Sequence, residues 1–179
     1  MKNNKLHILL FLFFTSNYAV AQEKFDIFEI ARKGTLTQIE EITIANPKTI
    51  NAVNKEGYSP LTLACYHKNN EVAKFLINNG SDINQKSSMG TPLMAAVVKG
   101  NIEIVSELLH KKADVNSKDK NGTSALLYAT IFKNYDIVRL LIKSNANPNS
   151  KDNKGNSAID YAILANDDKL IEILKNKQL

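Results

Sequence analysis

The residues best able to do covalent or redox chemistry are few: the chain has one cysteine, Cys65, and three histidines, His7, His67 and His110. A thiol or hydroxyl nucleophile needs a neighbouring base and a third group to orient that base, and an acid–base pair needs two carboxylates in one pocket. No such set is visible, so an enzyme is not expected and no catalytic residue is assigned. The competing reading is a redox thiol or enzymatic role through Cys65 and His67. A single cysteine forms no disulfide within the chain and removes cysteine-clustered zinc or iron–sulfur sites. A histidine metal site would need all three histidines, one of them in the leader, so neither a metal nor a cofactor is expected. Asp82 and Asp114 look alike as acidic sites. Both fall in a Ser/Ala-Asp-x-Asn connection, where an aspartate accepts hydrogen bonds from turn backbone.

Composition is that of a globular chain, 44% apolar and 23% charged over 179 residues. At the N-terminus, Lys2 and Lys5 precede an apolar stretch from Leu6 to Phe14, broken only by His7, and then Ala19-Val20-Ala21. Basic flank, short apolar run and small residues read as a signal peptide over 1–21, too short to span a bilayer, with cleavage leaving Gln22 first. The expected product is exported, periplasmic or secreted, with no membrane attachment after cleavage. Losing Lys2 and Lys5 lowers the formal charge from +5 to +3, and only Arg32 and Arg139 are arginines. Readers of phosphate and base edges lean on arginine forks, so nucleic acid is not expected as a partner, and a basic polyanion-binding surface is a secondary reading.

The remaining sequence repeats. Leu61, Leu93, Leu126 and Ile159 are spaced by 32, 33 and 33, and Ala64, Ala96, Ala129 and Ala162 keep that spacing. So do Leu76, Leu108, Leu141 and Leu174, while Asn51, Asn84, Asn116 and Asn149 step by 33, 32 and 33. A period near 33 means stacked units that cannot each close a core alone. Within one unit, Gly57 marks a turn, Ser59 can cap a helix, and Pro60 suits its first turn. The pattern predicts a helix from Pro60 to His67, a break at Lys68-Asn69, and an amphipathic helix over Glu71 to Ile77 stopped by Asn79-Gly80. Cys65 shares a column with Val97, Thr130 and Ile163, and that column is read as core.

These segments resemble the ankyrin repeat. Gly57 to Asn84, reading GYSPLTLACYHKNNEVAKFLINNGSDIN, follows its pattern nearly position by position; so do Met89 to Asn116, Gly122 to Asn149, and a truncated unit from Gly155. Phe25 to Val53 is similar to a degenerate first unit. The resemblance implies an all-α solenoid of helix-turn-helix units with short β-hairpin loops, occupying 22–179 in units near 25–53, 54–86, 87–118, 119–151 and 152–179. The first and last are expected to act as caps with wet outer faces. Arg32, Lys33, Glu40 and Glu41 decorate the first, and Asp167, Asp168, Lys169, Glu172 and Lys175 the last. One departure stands out: the histidine that usually follows Thr-Pro-Leu is replaced by Thr62, Met94, Leu127 and Asp160, which puts its hydrogen bonds between repeats in question.

The resemblance also implies a non-enzymatic protein-interaction module that binds its partner in a concave groove. It places the variable contact positions after the turn glycine and at the end of the first helix. Carried over, these include Lys55, Tyr58, Tyr66 and His67, then Val98 and Lys99, then Lys120, Ile131 and Phe132, then Lys154 and Leu164. Tyr66, Val98, Ile131 and Leu164 form an apolar column, the kind of stripe that marks a partner site when the core does not use it. Its competing reading is packing between neighbouring first helices. Lys55, Lys99, Lys120 and Lys154 form a basic rim suited to an acidic protein surface, and a monomer is expected. Exported, stand-alone bacterial ankyrin proteins of this short kind are similar, and some are thought to protect or assist partner proteins.

Overall fold

A computed structural model describes residues 26–88 and 90–175; the signal peptide expected over 1–21 lies outside them. Ten α-helices follow in pairs: α1 (Ile27–Lys33) and α2 (Leu36–Ala45), α3 (Pro60–His67) and α4 (Asn70–Asn78), α5 (Pro92–Val98) and α6 (Ile102–His110), α7 (Ala125–Ile131) and α8 (Tyr135–Lys143), α9 (Ala158–Leu164) and α10 (Asp168–Lys175). A 3₁₀ helix over Pro47–Asn51, which the sequence pattern does not announce, closes the first pair. Each odd-numbered helix packs on the odd-numbered helix of the next pair, and each even-numbered one on the next even-numbered one. The fold is all-α, with two parallel rows of short helices.

In the inner, odd-numbered row α1 starts at Asp26, whose carboxylate accepts from the Phe28 N–H at 3.0 Å, and the other four start where the sequence places a hydroxyl. Ser59, Thr91, Ser124 and Ser157 accept from the backbone N–H groups of Thr62, Met94, Leu127 and Asp160 at 3.2, 3.4, 3.3 and 3.3 Å, satisfying donors that a helix start leaves orphaned. Pro60 and Pro92 occupy first-turn positions, where no N–H is missed. In the last four pairs the two helices are joined through a left-handed residue, Lys68, Gly100, Lys133 or Asn166, whereas Gly34 between α1 and α2 is extended. Asp82 and Asp114 do turn work, accepting from the N–H groups of Asn84 and Asn116 at 2.9 and 3.1 Å. At the fingertips the hairpins reduce to isolated bridges, Ser87 with Gly90 and Lys118 with Ser124.

The core runs continuously through all five pairs. Leu61, Leu93 and Leu126 in the inner row and Leu76, Leu108, Leu141 and Leu174 in the outer row are buried, each worth ~1.5–3 kcal/mol of burial before ordering costs. Because much of that burial is against a neighbouring pair, stability is shared along the row. Asparagines tie the rungs. Asn51 donates to the Gly80 carbonyl at 3.0 Å and accepts from the Asp82 N–H at 2.7 Å, and Asn116 does the same with Asn145 and Asn147 at 3.2 and 2.8 Å. At the positions of the missing histidine, Thr62 bonds the Ser59 hydroxyl at 3.0 Å, Met94 and Leu127 are plain core, and Asp160 closes a capping box with Ser157.

Two expectations about the ends need correction. Ile163 is not core: Cys65, Val97 and Thr130 are covered by the next inner helix, but no sixth helix pair follows α9 among the described residues, and Ile163 is 51% exposed. Asp167 does not decorate the cap. It is buried at the start of α10, where its carboxylate accepts from the Leu170 N–H at 3.1 Å and the Tyr135 hydroxyl at 3.0 Å and pairs with Lys133 at 3.3 Å. Asp168, Lys169, Glu172 and Lys175 are exposed as expected.

Candidate functional site

Cys65 lies inside the stack with no exposed surface, and burial pushes its thiol far above its ordinary range. A thiol held protonated and out of contact with solvent is a poor nucleophile. His67 is exposed at the end of α3. Its ring meets Tyr66 edge-on, with centroids 5.4 Å apart. Partial burial, and then the positive charges of Arg32 and Lys99, hold its pKa below the usual imidazole value. No hydrogen bond joins Cys65 to His67 among the described residues, and His110 sits on the other row, at the end of α6. The arrangement therefore offers no activated nucleophile.

The expected apolar column divides into two parts. At its N-terminal end Tyr66 and Val98 are half-buried, and the Lys99 ammonium sits 3.9 Å from the Tyr66 ring centroid, a cation–π contact. Tyr66, His67 and Lys99 thus form one cluster, with Lys99 spent on the aromatic face as well as on the rim. Tyr58 is half-buried between fingertips, its hydroxyl accepting from Ser88 at 3.1 Å. At the C-terminal end Ile131, Phe132 and Leu164 are 45%, 55% and 71% exposed. Phe132 lies parallel to Tyr128, with centroids 6.4 Å apart. Within this column the exposed apolar residues lie at the ends of α7 and α9, while Ile44 on α2 and Ile102 on α6 are exposed apolar residues of the outer row. Lys55, Lys120 and Lys154 are exposed on the fingertips.

Between α7, α9 and the last two fingertips lies a cleft of about 430 Å³ whose lining includes Leu127, Tyr128, Ile131, Asn121, Lys154 and Tyr161. Its walls are fixed by a pair of bonds missed in reading the sequence. The Tyr128 hydroxyl donates to Asp119 at 2.7 Å, and the Tyr161 hydroxyl donates to Asp152 at 2.9 Å. The other oxygen of Asp119 accepts from the N–H groups of Asn121 and Thr123, both at 2.8 Å, and Asp152 repeats this with Lys154 and Asn156 at 2.9 and 3.0 Å. Burial, and then the bond to Asp119, pushes the Tyr128 phenol up to about 12. The fingertips are also joined, the Asn153 N–H donating to the Asn121 carbonyl at 3.0 Å. Gly122 permits this approach, having a left-handed φ of 74° and no room for a Cβ, which would fall 2.6 Å from Asn153 Oδ1. The signal was in the sequence, because Asp119 and Asp152, and Tyr128 and Tyr161, repeat at the same 33-residue spacing in the last two complete hairpins.

Among the described residues no helix is long and apolar enough to cross a membrane. Comparison with known proteins agrees with the helix pairing. The description of ankyrin repeats, three copies in tandem, matches residues 27–119 and again 111–178. An ankyrin repeat protein of Acanthamoeba polyphaga mimivirus is 53% identical over 38 residues, which are 21% of this chain and 4% of that relative. The matched segment thus covers a small part of a much longer relative. With paired helices along its described length and repeats matched across residues 27–178, the chain belongs to the ankyrin repeat family.

Proposed function

We propose that this chain is a non-enzymatic protein-interaction module that acts outside the cytoplasm and binds an acidic protein surface along its inner helices and fingertips. The observation that carries the binding reading is the exposure of Ile131, Phe132 and Leu164 on helices whose opposite faces are fully packed. Apolar side chains that the core leaves in water are candidates for burial by a partner, and aromatic ones supply the largest contribution. Exposed Lys120 and Lys154 lie on the fingertips of the same units and Lys55 on an earlier one, and they would speed encounter with an acidic partner more than they tighten the complex. Buried Cys65 and unpaired roles for His67 give the redox reading no support. The extracellular part rests on Lys2, Lys5, the apolar run and Ala19-Val20-Ala21.

Capture from the native extracytoplasmic fraction with the wild-type chain and with Phe132→Ala combined with Ile131→Ala tests the proposal. Truncating a central aromatic anchor costs ~2 kcal/mol or more, so retention should fall at least about tenfold. Glu40→Ala with Lys74→Ala, on the outer helices α2 and α4, is the control that should bind normally. Equal retention by the inner-helix variant, with its fold intact, would remove the inner helices as the binding surface.

A further inference from the structure

We infer that Asn79-Gly80, at the end of α4, is a site of spontaneous covalent modification, in which Asn79 cyclises to a succinimide and hydrolyses to isoaspartate or aspartate, loosening the first helix pair from the second. The inference goes beyond the binding reading and does not depend on it.

An asparagine before glycine is open to this reaction because glycine carries no Cβ to hinder its own backbone nitrogen. The Gly80 nitrogen gives its proton to hydroxide and forms a bond to Asn79 Cγ; the Cγ–Nδ2 bond breaks, and the side-chain nitrogen leaves as ammonia. Water then opens the imide at one of its two carbonyls. One opening gives aspartate, and the other gives isoaspartate, in which the main chain runs through the former side chain.

The sequence offers this pair twice, at Asn79-Gly80 and Asn121-Gly122, and the structure separates them. Asn79 and Gly80 are both exposed. The N–H groups at the matching position after α6 and α8, on Lys112 and Asn145, donate to the Leu109 and Ile142 carbonyls at 3.0 Å, whereas the Gly80 N–H donates to no group among the described residues. Its φ is 93°, against 67° and 65° at those two positions. A Cβ built on Gly80 would meet nothing within 4 Å, so there is room for the ring, and Asn79 lines an open cavity of about 510 Å³ that admits hydroxide and water. One bond opposes the reaction, from Asn79 Nδ2 to the Phe75 carbonyl at 2.7 Å; it is exposed and lies in a last turn, where helices fray. At the other site the Gly122 N–H is held by the Asp119 carbonyl at 3.0 Å, the Asn121 N–H by the Asp119 carboxylate at 2.8 Å, and the Asn121 carbonyl by the Asn153 N–H at 3.0 Å. Asn153 Oδ1 also fills the space beside Gly122. More bonds must break there before the ring can close.

The consequence follows from the asparagine rung. Asn51, in the first unit, donates to the Gly80 carbonyl and accepts from the Asp82 N–H. Isoaspartate inserts a methylene into the main chain just before Gly80 and displaces both partners. Either product also places a carboxylate at the C-terminal end of α4, where the helix dipole disfavours negative charge.

Peptide mapping by mass spectrometry of the folded full chain, held for weeks at pH 8.5, tests this, with the urea-unfolded chain as the reference for both sites. In the folded chain Asn79 should convert at least about tenfold faster than Asn121, a difference of ~1.4 kcal/mol, while the unfolded chain converts the two alike. Asn79→Gln, whose cyclisation needs a six-membered ring, should keep its amide. In the purified isoaspartyl form the Asp82 amide should exchange its hydrogen faster and the urea midpoint should fall, with the Asn147 amide, on the rung formed by Asn116, unchanged. Equal conversion of the two sites in the folded chain, or an intact Asn79 amide where the unfolded chain has converted, would overturn the site. Unaltered exchange at Asp82 in the isoaspartyl form would overturn the loosening.

Discussion

Treat the folded chain with a thiol reagent at pH 8 and Cys65 should label only when its unit opens. Cys65 has no exposed surface and lies on α3, which packs against α1 on one side and α5 on the other. Exposing it requires breaking two helix–helix interfaces or unfolding the array. Global opening of a domain costs ~5–15 kcal/mol, and an interior segment opens near the upper part of the local range. Taking ~4 kcal/mol as a floor, and ~1.4 kcal/mol per factor of ten, labelling should be at least about a thousandfold slower than in the urea-unfolded chain. Burial also holds the thiol protonated in the closed state, so no labelling bypasses opening. The assay follows reagent absorbance in native buffer and in denaturant, with the denatured rate as reference. A native rate within about tenfold of the unfolded one would contradict the packing described for α3 and would restore a redox role as a live alternative.

Other consequences follow from the same packing. Leu126→Ala should lower unfolding free energy by ~2–5 kcal/mol, whereas Leu164→Ala, at a mostly exposed position, should change it by less than ~0.5 kcal/mol; urea titrations of both separate core from surface. Tyr128, with its phenol at about 12, should titrate after an ordinary tyrosine at ~10 in an ultraviolet pH titration. Its raised value means that the protonated phenol favours the fold, so this contribution is complete below about pH 10 and lost as pH rises toward 12; Tyr128→Phe should flatten that alkaline loss. The native protein should begin at Gln22 and be found outside the cytoplasm. Mass spectrometry showing Met1 on a cytoplasmic product would refute the export proposal.

The fold was legible because its determinants are local and repeated. Ser59, Pro60 and the apolar run to His67 predict α3 with its observed ends, and Asn79-Gly80 stops the following helix one residue beyond the expected place. Columns of leucine and alanine at one spacing identify the stack because each must meet its counterpart in the next unit. What was not legible depends on where the array ends and on pairs distant from the helix pattern. Ile163 has the character of a core column, and only the lack of a sixth described pair leaves it in water. Asp167 looks like a surface charge until Tyr135, thirty-two residues earlier, is seen donating to it. The Lys99 contact with Tyr66 depends on the direction of a long side chain, which spacing does not fix. The tyrosine–aspartate locks were readable in principle, but aspartates at fingertips are so often turn residues that their second role is hidden.

The most direct test of inner-helix recognition is hydrogen exchange of the full chain with and without a purified acidic partner recovered by wild-type capture. Binding as proposed predicts slowed exchange in fingertips 119–124 and 152–157 and around Ile131 to Lys133 and Leu164 to Asn166, with α4, α6 and α8 unchanged. Protection confined to those outer helices, with the fingertips exchanging as in the free chain, would contradict it.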